Sequence, residues 1–301
     1  MPEFRSGFVA VIGRPNAGKS TLINALVGQK VAAVSPRPQT TRRRQLGILT
    51  RPDGQIVFLD TPGLHAPRHK LGEFLNQEAQ EAIKGVDIIL WMVDASEEPA
   101  DADHFIADLL GGLRKPPPIV LALNKIDRPS AGDLPMRQAA YAALIRKPVE
   151  PVSISAARGD GLEGLVAAIL ARLPVRPPEF EADQVTDLYE REIVADLVRE
   201  AALIFLREEI PHSLAVRLDE FTERGEKGAY IAATLFVERE TQKGIVIGEG
   251  GKMLKKIGSA ARAEIEKMSG RKVFLELRVK VLKDWRNDEN ALKRFGYKIK
   301  K

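Results

Sequence analysis

The chain contains no cysteine, which excludes disulfides and thiolate zinc sites. Its four histidines are scattered, so a catalytic zinc held by imidazoles is disfavoured as well. No apolar run approaches the length of a membrane span. The N-terminal Met1-Pro2-Glu3-Phe4-Arg5 enters the first expected strand without the charged, apolar and small-residue order of an export signal. There is no internal repeat and no low-complexity segment. What remains is 301 residues with 44% hydrophobic side chains, enough for two domains with real cores, and the expected setting is the cytoplasm.

The formal charge of +5 is modest but unevenly spread. Residues 183–238 carry six basic and thirteen acidic side chains, net −7, whereas residues 239–301 carry eighteen and eight, net +10. A basic block inside a folded pattern is the electrostatic footprint expected of a polyanion partner, the alternative being a solvated surface with a charge imbalance.

Residues 13–20, Gly13-Arg14-Pro15-Asn16-Ala17-Gly18-Lys19-Ser20, fit the pattern G-x-x-x-x-G-K-[ST]. They follow the apolar run Phe8–Ile12 and open the amphipathic segment Thr21–Val27, which Gly28 can cap. Strand, glycine loop and helix thus occur in the order a phosphate-binding loop requires. The loop amides from Gly13 to Thr21 and the helix N-terminus then face a nucleoside triphosphate. Lys19 adds a point charge for the β- and γ-phosphates, and the Ser20 hydroxyl is a magnesium ligand.

Further along, Ser35–Arg44 has two prolines and four arginines and reads as an exposed loop. Expected strands at 45–50 and 55–59 are joined by Pro52-Asp53-Gly54, a hairpin signal. The second strand delivers Asp60-Thr61-Pro62-Gly63. There an aspartate holds magnesium through water and a glycine amide meets the γ-phosphate, although the tetrapeptide alone is also a respectable turn. Helical spacing at 73–84, 103–113, 135–145 and 162–173 alternates with apolar runs at 86–94, 119–123 and 149–154. The expected fold is an α/β P-loop domain over residues 1–173, a mostly parallel, doubly wound sheet with the ligand beyond the strand ends.

The run at 119–123 leads into Asn124-Lys125-Ile126-Asp127. A carboxylate at Asp127 accepts both the N1 and N2 hydrogens of guanine, a donor pair adenine lacks, and the Lys125 stem can cover the base. With the phosphate loop and D-x-x-G in this order, the motif points to GTP and GDP.

Prolines 174, 177 and 178 mark an expected linker at 174–184. From 185 to 301 the order changes to a long helix from 186 to about 209, strands at 214–222 and 229–241, a glycine turn, a helix at 252–268 and a strand at 272–282. This is an α+β arrangement that ends in a basic tail. Val246-Ile247-Gly248-Glu249-Gly250-Gly251-Lys252 matches the G-x-x-G loop of KH domains, read here as lying between a strand and a helix. Such a loop clamps about four nucleotides of single-stranded nucleic acid. Lys252, Lys255 and Lys256 fall on one side of the following helix, where they can meet phosphates. The candidate RNA surface is therefore Ile247 to Lys252 with Lys255 and Lys256. Trp285, Phe295 and Tyr297 in the tail either stack on bases or cap the core, and capping is favoured.

These motifs resemble the five-part signature of translation-factor-related GTPases, and nearly the whole chain resembles the Era family of bacterial GTPases, with a C-terminal type II KH domain. The resemblance implies that Thr41 completes the magnesium coordination, with Thr40 a competitor. It also implies that Ser155, Ala156 and Ala157 approach guanine through backbone amides. Asn16 resembles the residue that helps seat potassium in potassium-stimulated GTPases; the alternative is an asparagine tolerating an unusual turn. Lys19, Thr41 and Gly63 are the candidate catalytic groups. Leu64 stands where many GTPases carry a water-orienting glutamine, so slow intrinsic hydrolysis is expected; nothing in the sequence brings His65 to a γ-phosphate.

The family further implies small-subunit ribosomal RNA, bound near its 3′ end, as the partner, with a role in maturing that subunit. It also implies loose association with the inner face of the membrane, and a monomer is expected. The rivals are an RNA-binding scaffold with a structural nucleotide site and a GTPase of transfer RNA modification. The latter is disfavoured by the missing cysteine and the missing modification domain.

Overall fold

A computed structural model describes residues 3–35, 37, 40–67, 69–128, 133–146, 149–187, 190–223, 225 and 228–297. Pro36, Pro38 and Gln39 of the arginine loop and residues 298–301 of the basic tail lie outside the described residues. The chain divides into two compact units, residues 1–32, 41–68 and 75–187 in one, and residues 33–40, 69–74 and 188–301 in the other.

From the N-terminus the elements run β1 (Arg5–Ile12), α1 (Lys19–Val27), β2 (Gln45–Arg51), β3 (Gly54–Asp60), α2 (Lys70–Ile83), β4 (Ile88–Asp94), α3 (Asp101–Gly111), β5 (Ile119–Asn124), α4 (Leu134–Ala142), β6 (Val152–Ser153) and α5 (Leu162–Leu170), all in the first unit except residues 70–74 of α2. The sheet order is β2-β3-β1-β4-β5-β6. Among the described strands of this sheet only β2 is antiparallel to its neighbour, joined to β3 by the tight turn that Pro52-Asp53-Gly54 signals. Alternate residues of the central strands bury opposite faces. Val9, Val11, Phe58, Leu90 and Met92 pack with Leu22 and Ile23 of α1 and Leu165 and Ile169 of α5. Ala10, Ile12, Trp91, Val93 and Leu121 pack with Ile83 of α2, Ile106 of α3 and Tyr141 of α4. This two-sided burial explains why the strands read as unbroken apolar runs.

The stretch expected as a linker is held along this unit. Ser6 N–H donates to the Pro174 carbonyl at 3.2 Å and Ile48 N–H to the Val185 carbonyl at 2.9 Å. The buried Gln55 side chain bonds Phe180 on both its amide faces. Prolines here end a helix without freeing the chain.

The second unit contains α6 (Glu190–Phe205), α7 (Ile210–Ser213), β7 (Ala215–Glu223), β8 (Ala229–Val237), α8 (Glu240–Ile247), α9 (Lys252–Ser269), β9 (Val273–Val281) and α10 (Glu289–Arg294). The sheet order is β7-β8-β9, with β8 and β9 parallel. One correction follows: 240–247, expected as the end of a strand and a turn, forms helix α8, so the G-x-x-G loop joins two helices. Ile245, Val246 and Ile247 favour strands locally, but Gln242 Oε1 accepts the Glu238 and Arg239 N–H groups and starts a helix, and buried Val246 anchors it in the core. The tail aromatics belong to the core: Trp285 is buried, donates Nε1–H to the Ser213 carbonyl at 2.8 Å, and meets Phe295 edge-on at 5.2 Å.

Candidate functional site

The phosphate loop sits between β1 and α1. Gly18 adopts φ 101°, and a Cβ there would stand 2.2 Å from Asn124 Nδ2. Glycine is needed on both counts. Asn124 uses that tight approach: its Nδ2–H donates to the Ala17 carbonyl at 2.8 Å, and its Oδ1 accepts Ala156 N–H at 2.9 Å. One buried side chain thereby joins the phosphate loop to the Ser155-Ala156-Ala157 loop. Asn16 has φ 63° and is exposed, the left-handed turn conformation that asparagine tolerates.

Lys19 is buried, its Nζ donating to the carbonyls of Gly13 at 3.1 Å and Arg14 at 3.0 Å. Burial pushes its pKa down to about 8, partly opposed by the Asp60 carboxylate. Ser20, Thr41 and Asp60 converge: Ser20 Oγ–H donates to Asp60 Oδ2 at 2.7 Å, Thr41 Oγ1–H to the same oxygen at 3.0 Å, and the two hydroxyls lie 2.9 Å apart. The Thr40 hydroxyl is instead engaged with Ser35 Oγ at 2.7 Å and the Arg37 carbonyl at 2.8 Å. Gly63 leads into Leu64, whose N–H donates to the Gly13 carbonyl at 3.2 Å and whose side chain is buried. His65 is held by Asn76 of α2, which donates to its carbonyl at 2.7 Å.

At the base end, Asp127 is exposed and accepts the Ser155 hydroxyl at 2.5 Å. That bond holds its carboxyl below the usual range, so it stays ionised as an acceptor. The sequence pointed to Ser155 by resemblance alone. Its side chain orients Asp127, and the bridge between Ser155 and Asp160 fixes the loop.

In the second unit, Gly250 and Gly251 adopt φ 56° and 79°, and nothing lies within 4 Å of where their Cβ atoms would be. Backbone is bare here, as a nucleic acid strand requires. Lys252 and Lys255 are exposed, Lys252 lying 3.4 Å from the Glu249 carboxylate. Lys256 departs from its neighbours, its Nζ resting 4.4 Å from the centre of the Phe205 ring. Beside the loop, a groove of about 590 Å³ runs between α9 and the edge strand β9, lined by Leu254, Lys255, Gly258, Arg262 and Leu277 among others. Of these, sequence reasoning found Lys255. The 3.6-residue spacing of Leu254, Gly258 and Arg262 was the available signal.

The first unit's site is that of a P-loop GTPase, and the second unit has the α-β-β-α-α-β order of a KH domain. The family model described as a 50S ribosome-binding GTPase matches residues 8–125, and the KH domain model matches residues 209–286. The GTPase Era of Halothermothrix orenii is 48% identical over 296 residues, covering 98% of this chain and 99% of the relative. That of Geobacter metallireducens is 48% identical over 296 residues and 98% of each chain. A solved structure of Era in complex with MgGDPNP and nucleotides 1506–1542 of 16S ribosomal RNA superposes with a TM-score of 0.91 at 39% identity, over 98% of this chain and all of that one. An Aquifex aeolicus Era variant bound to GDP and aluminium fluoride gives 0.89 at 38%, with the same coverage. The chain belongs to the Era family of GTPases and is a hydrolase acting on GTP.

Proposed function

We propose that the chain is a GTP-driven switch that binds small-subunit ribosomal RNA near its 3′ end through the KH groove and assists maturation of that subunit. The observation that carries the nucleotide half is the convergence of Ser20, Thr41 and Asp60 beside Lys19. Two hydroxyls and a carboxylate are a hard-oxygen set suited to magnesium, with Asp60 acting through water. Bound there, magnesium supplies charge neutralisation for the β- and γ-phosphates. Lys19 then contributes its ammonium, the amides of Gly13 to Thr21 cradle the phosphates, and the Gly63 amide meets the γ-phosphate. Asn124, Lys125, Asp127 and the 155–157 loop hold guanine. Leu64, buried and without a polar atom on its side chain, does not orient water, so intrinsic turnover is slow.

The RNA half rests on the bare Gly250–Gly251 backbone beside an apolar groove with a cationic rim. That one relative of known structure was solved with a 16S ribosomal RNA fragment supports this partner. Potassium beside Asn16, a monomeric state and loose membrane association are finer parts of the same proposal. Faster hydrolysis in potassium than in sodium, abolished by Asn16→Ala, tests the first. For the last, no helix among the described residues is long and apolar enough to cross a membrane, so any association would be peripheral.

Single-turnover GTP hydrolysis in magnesium separates switch from scaffold. GDP should form with the native chain and far more slowly with Ser20→Ala, while no turnover at all would leave a structural nucleotide site. Nucleic acid extracted from the purified protein and sequenced should return the 3′ region of small-subunit ribosomal RNA. Enrichment of transfer RNA would favour the rival.

A further inference from the structure

The carboxylate of Asp94, at the C-terminal end of β4, lies between the two loops that address opposite ends of the nucleotide. Its Oδ2 accepts Lys125 Nζ at 2.5 Å, and Arg14 Nη2 of the phosphate loop stands 3.8 Å from the same oxygen. Its Oδ1 accepts both the Ser96 hydroxyl at 2.6 Å and Ser96 N–H at 3.1 Å. The side chain is 4% exposed. Sheet register sets Asp94 beside Asn124 on the neighbouring strand, and Lys125, in the left-handed region at φ 69°, docks its ammonium on Asp94.

Arg14 is held on its other side by Glu97 at 2.5 Å and by the buried Asp103 at 3.8 Å. Tyr141 Oη–H reaches the carbonyls of Asp94 and Glu97, each at 3.3 Å. Burial raises the Asp94 carboxyl, but the Lys125 and Ser96 hydrogen bonds outweigh it and leave the group below its ordinary value. The group is a charged anchor, and the reaction places no proton on it.

We propose that Asp94 is a positioning residue for nucleotide binding, a single buried carboxylate that holds the Lys125 base-covering stem and the Arg14 segment of the phosphate loop in one frame. The inference rests on the assignment of Lys125 to the guanine end. Removing the charge leaves Lys125 without its anion and takes from Arg14 one of the three carboxylates around it, so the Lys125 side chain is drawn toward water and the link between the two loops is lost. Because Lys125 serves the base, and the backbone of the Arg14 segment belongs to the loop assigned to phosphates common to both nucleotides, GDP and GTP should weaken together.

The test is GDP affinity by titration for Asp94→Asn, Lys125→Met and the double variant, with thermal melting to establish folding. Asp94→Asn should raise the GDP Kd about tenfold, and by less than about threefold in the Lys125→Met background, since residues sharing one network are not additive. A merely structural loss would cost the same factor in both backgrounds, and that result overturns the proposal. If Lys125→Met alone leaves the Kd unchanged, the base-loop assignment fails and this inference with it. If Asp94→Asn does not fold, Arg14→Gln and Lys125→Met form the substitute cycle. Effects that fall short of additive by about threefold or more support the shared anchor, and additive effects overturn it.

Discussion

Two glycine–lysine steps open two helices in this chain, Gly18-Lys19 into α1 and Gly251-Lys252 into α9, and the pairs share a local device but differ in everything around it. Both glycines are left-handed, at φ 101° and 79°, and both open a helix whose first N–H groups are suited to an anion. Around Gly18 there is no room, and Lys19 is 6% exposed. Around Gly251 nothing lies within 4 Å, and the Lys252 side chain is 80% exposed. The first setting suits a small ligand enclosed in a polar network, where each misplaced hydrogen bond is costly. The second suits a strand that lies across the surface, where charge contributes affinity and salt weakens it. Similar backbone turns thus become a selective pocket in one unit and an open groove in the other.

The largest expected effect tests the enclosed side. Asp127→Asn should weaken GTP by about 2 to 4 kcal/mol and turn preference toward xanthosine triphosphate, because an amide mismatches guanine but donates to the altered base edge. Competition titration of the two nucleotides reads it, and unchanged GTP affinity removes Asp127 from the pocket. On the open side, Gly251→Asp sets a side chain and a negative charge on the bare backbone. RNA affinity at fixed salt should fall on the order of 10- to 100-fold while GTP affinity without RNA is retained. Equal loss of both would mean that the two settings are not separable.

A smaller effect comes from the buried lysine. The Lys19 pKa in the free site is about 8, and bound phosphates favour its charged form. GDP affinity should therefore fall by up to about tenfold per pH unit as pH rises above about 8. The nucleotide-free protein should respond in the opposite sense. With the folded pKa below the ordinary 10.5, the unfolded chain binds more protons between those values, so the Lys19 contribution to stability grows as pH rises through that window. Subtracting the Lys19→Met profile isolates both slopes, and identical profiles would place the lysine outside the phosphate site. The smallest effect divides neighbours in the open groove. Lys255→Ala should lower the salt dependence of RNA binding by about one charge. Lys256→Ala should leave that slope nearly unchanged and cost about 0.5 to 1 kcal/mol of stability through the lost contact with Phe205.

The candidate nucleotide site was legible because its parts are short segments whose residue types are those that ligand chemistry calls for: Gly13 to Ser20, Asp60 to Gly63 and Asn124 to Asp127. The sheet was legible because strands buried on both faces carry an unmistakable apolar run. Helix α8 was not, since Gly244, Ile245, Val246 and Ile247 favour strand or turn locally, and burial of Val246 with the Gln242 cap decided otherwise. The joining side chains were equally hidden. Nothing near Asp94 in the sequence indicates Lys125 as its partner 31 residues away, or Ser155 as the support of Asp127. Sequence alone thus determined which chemical groups are present, in which order and on which kind of element. Their partners came from the closing of the sheet, because a buried carboxylate or amide takes the neighbour that tertiary packing brings within hydrogen-bonding distance, and local sequence carries no record of that distance.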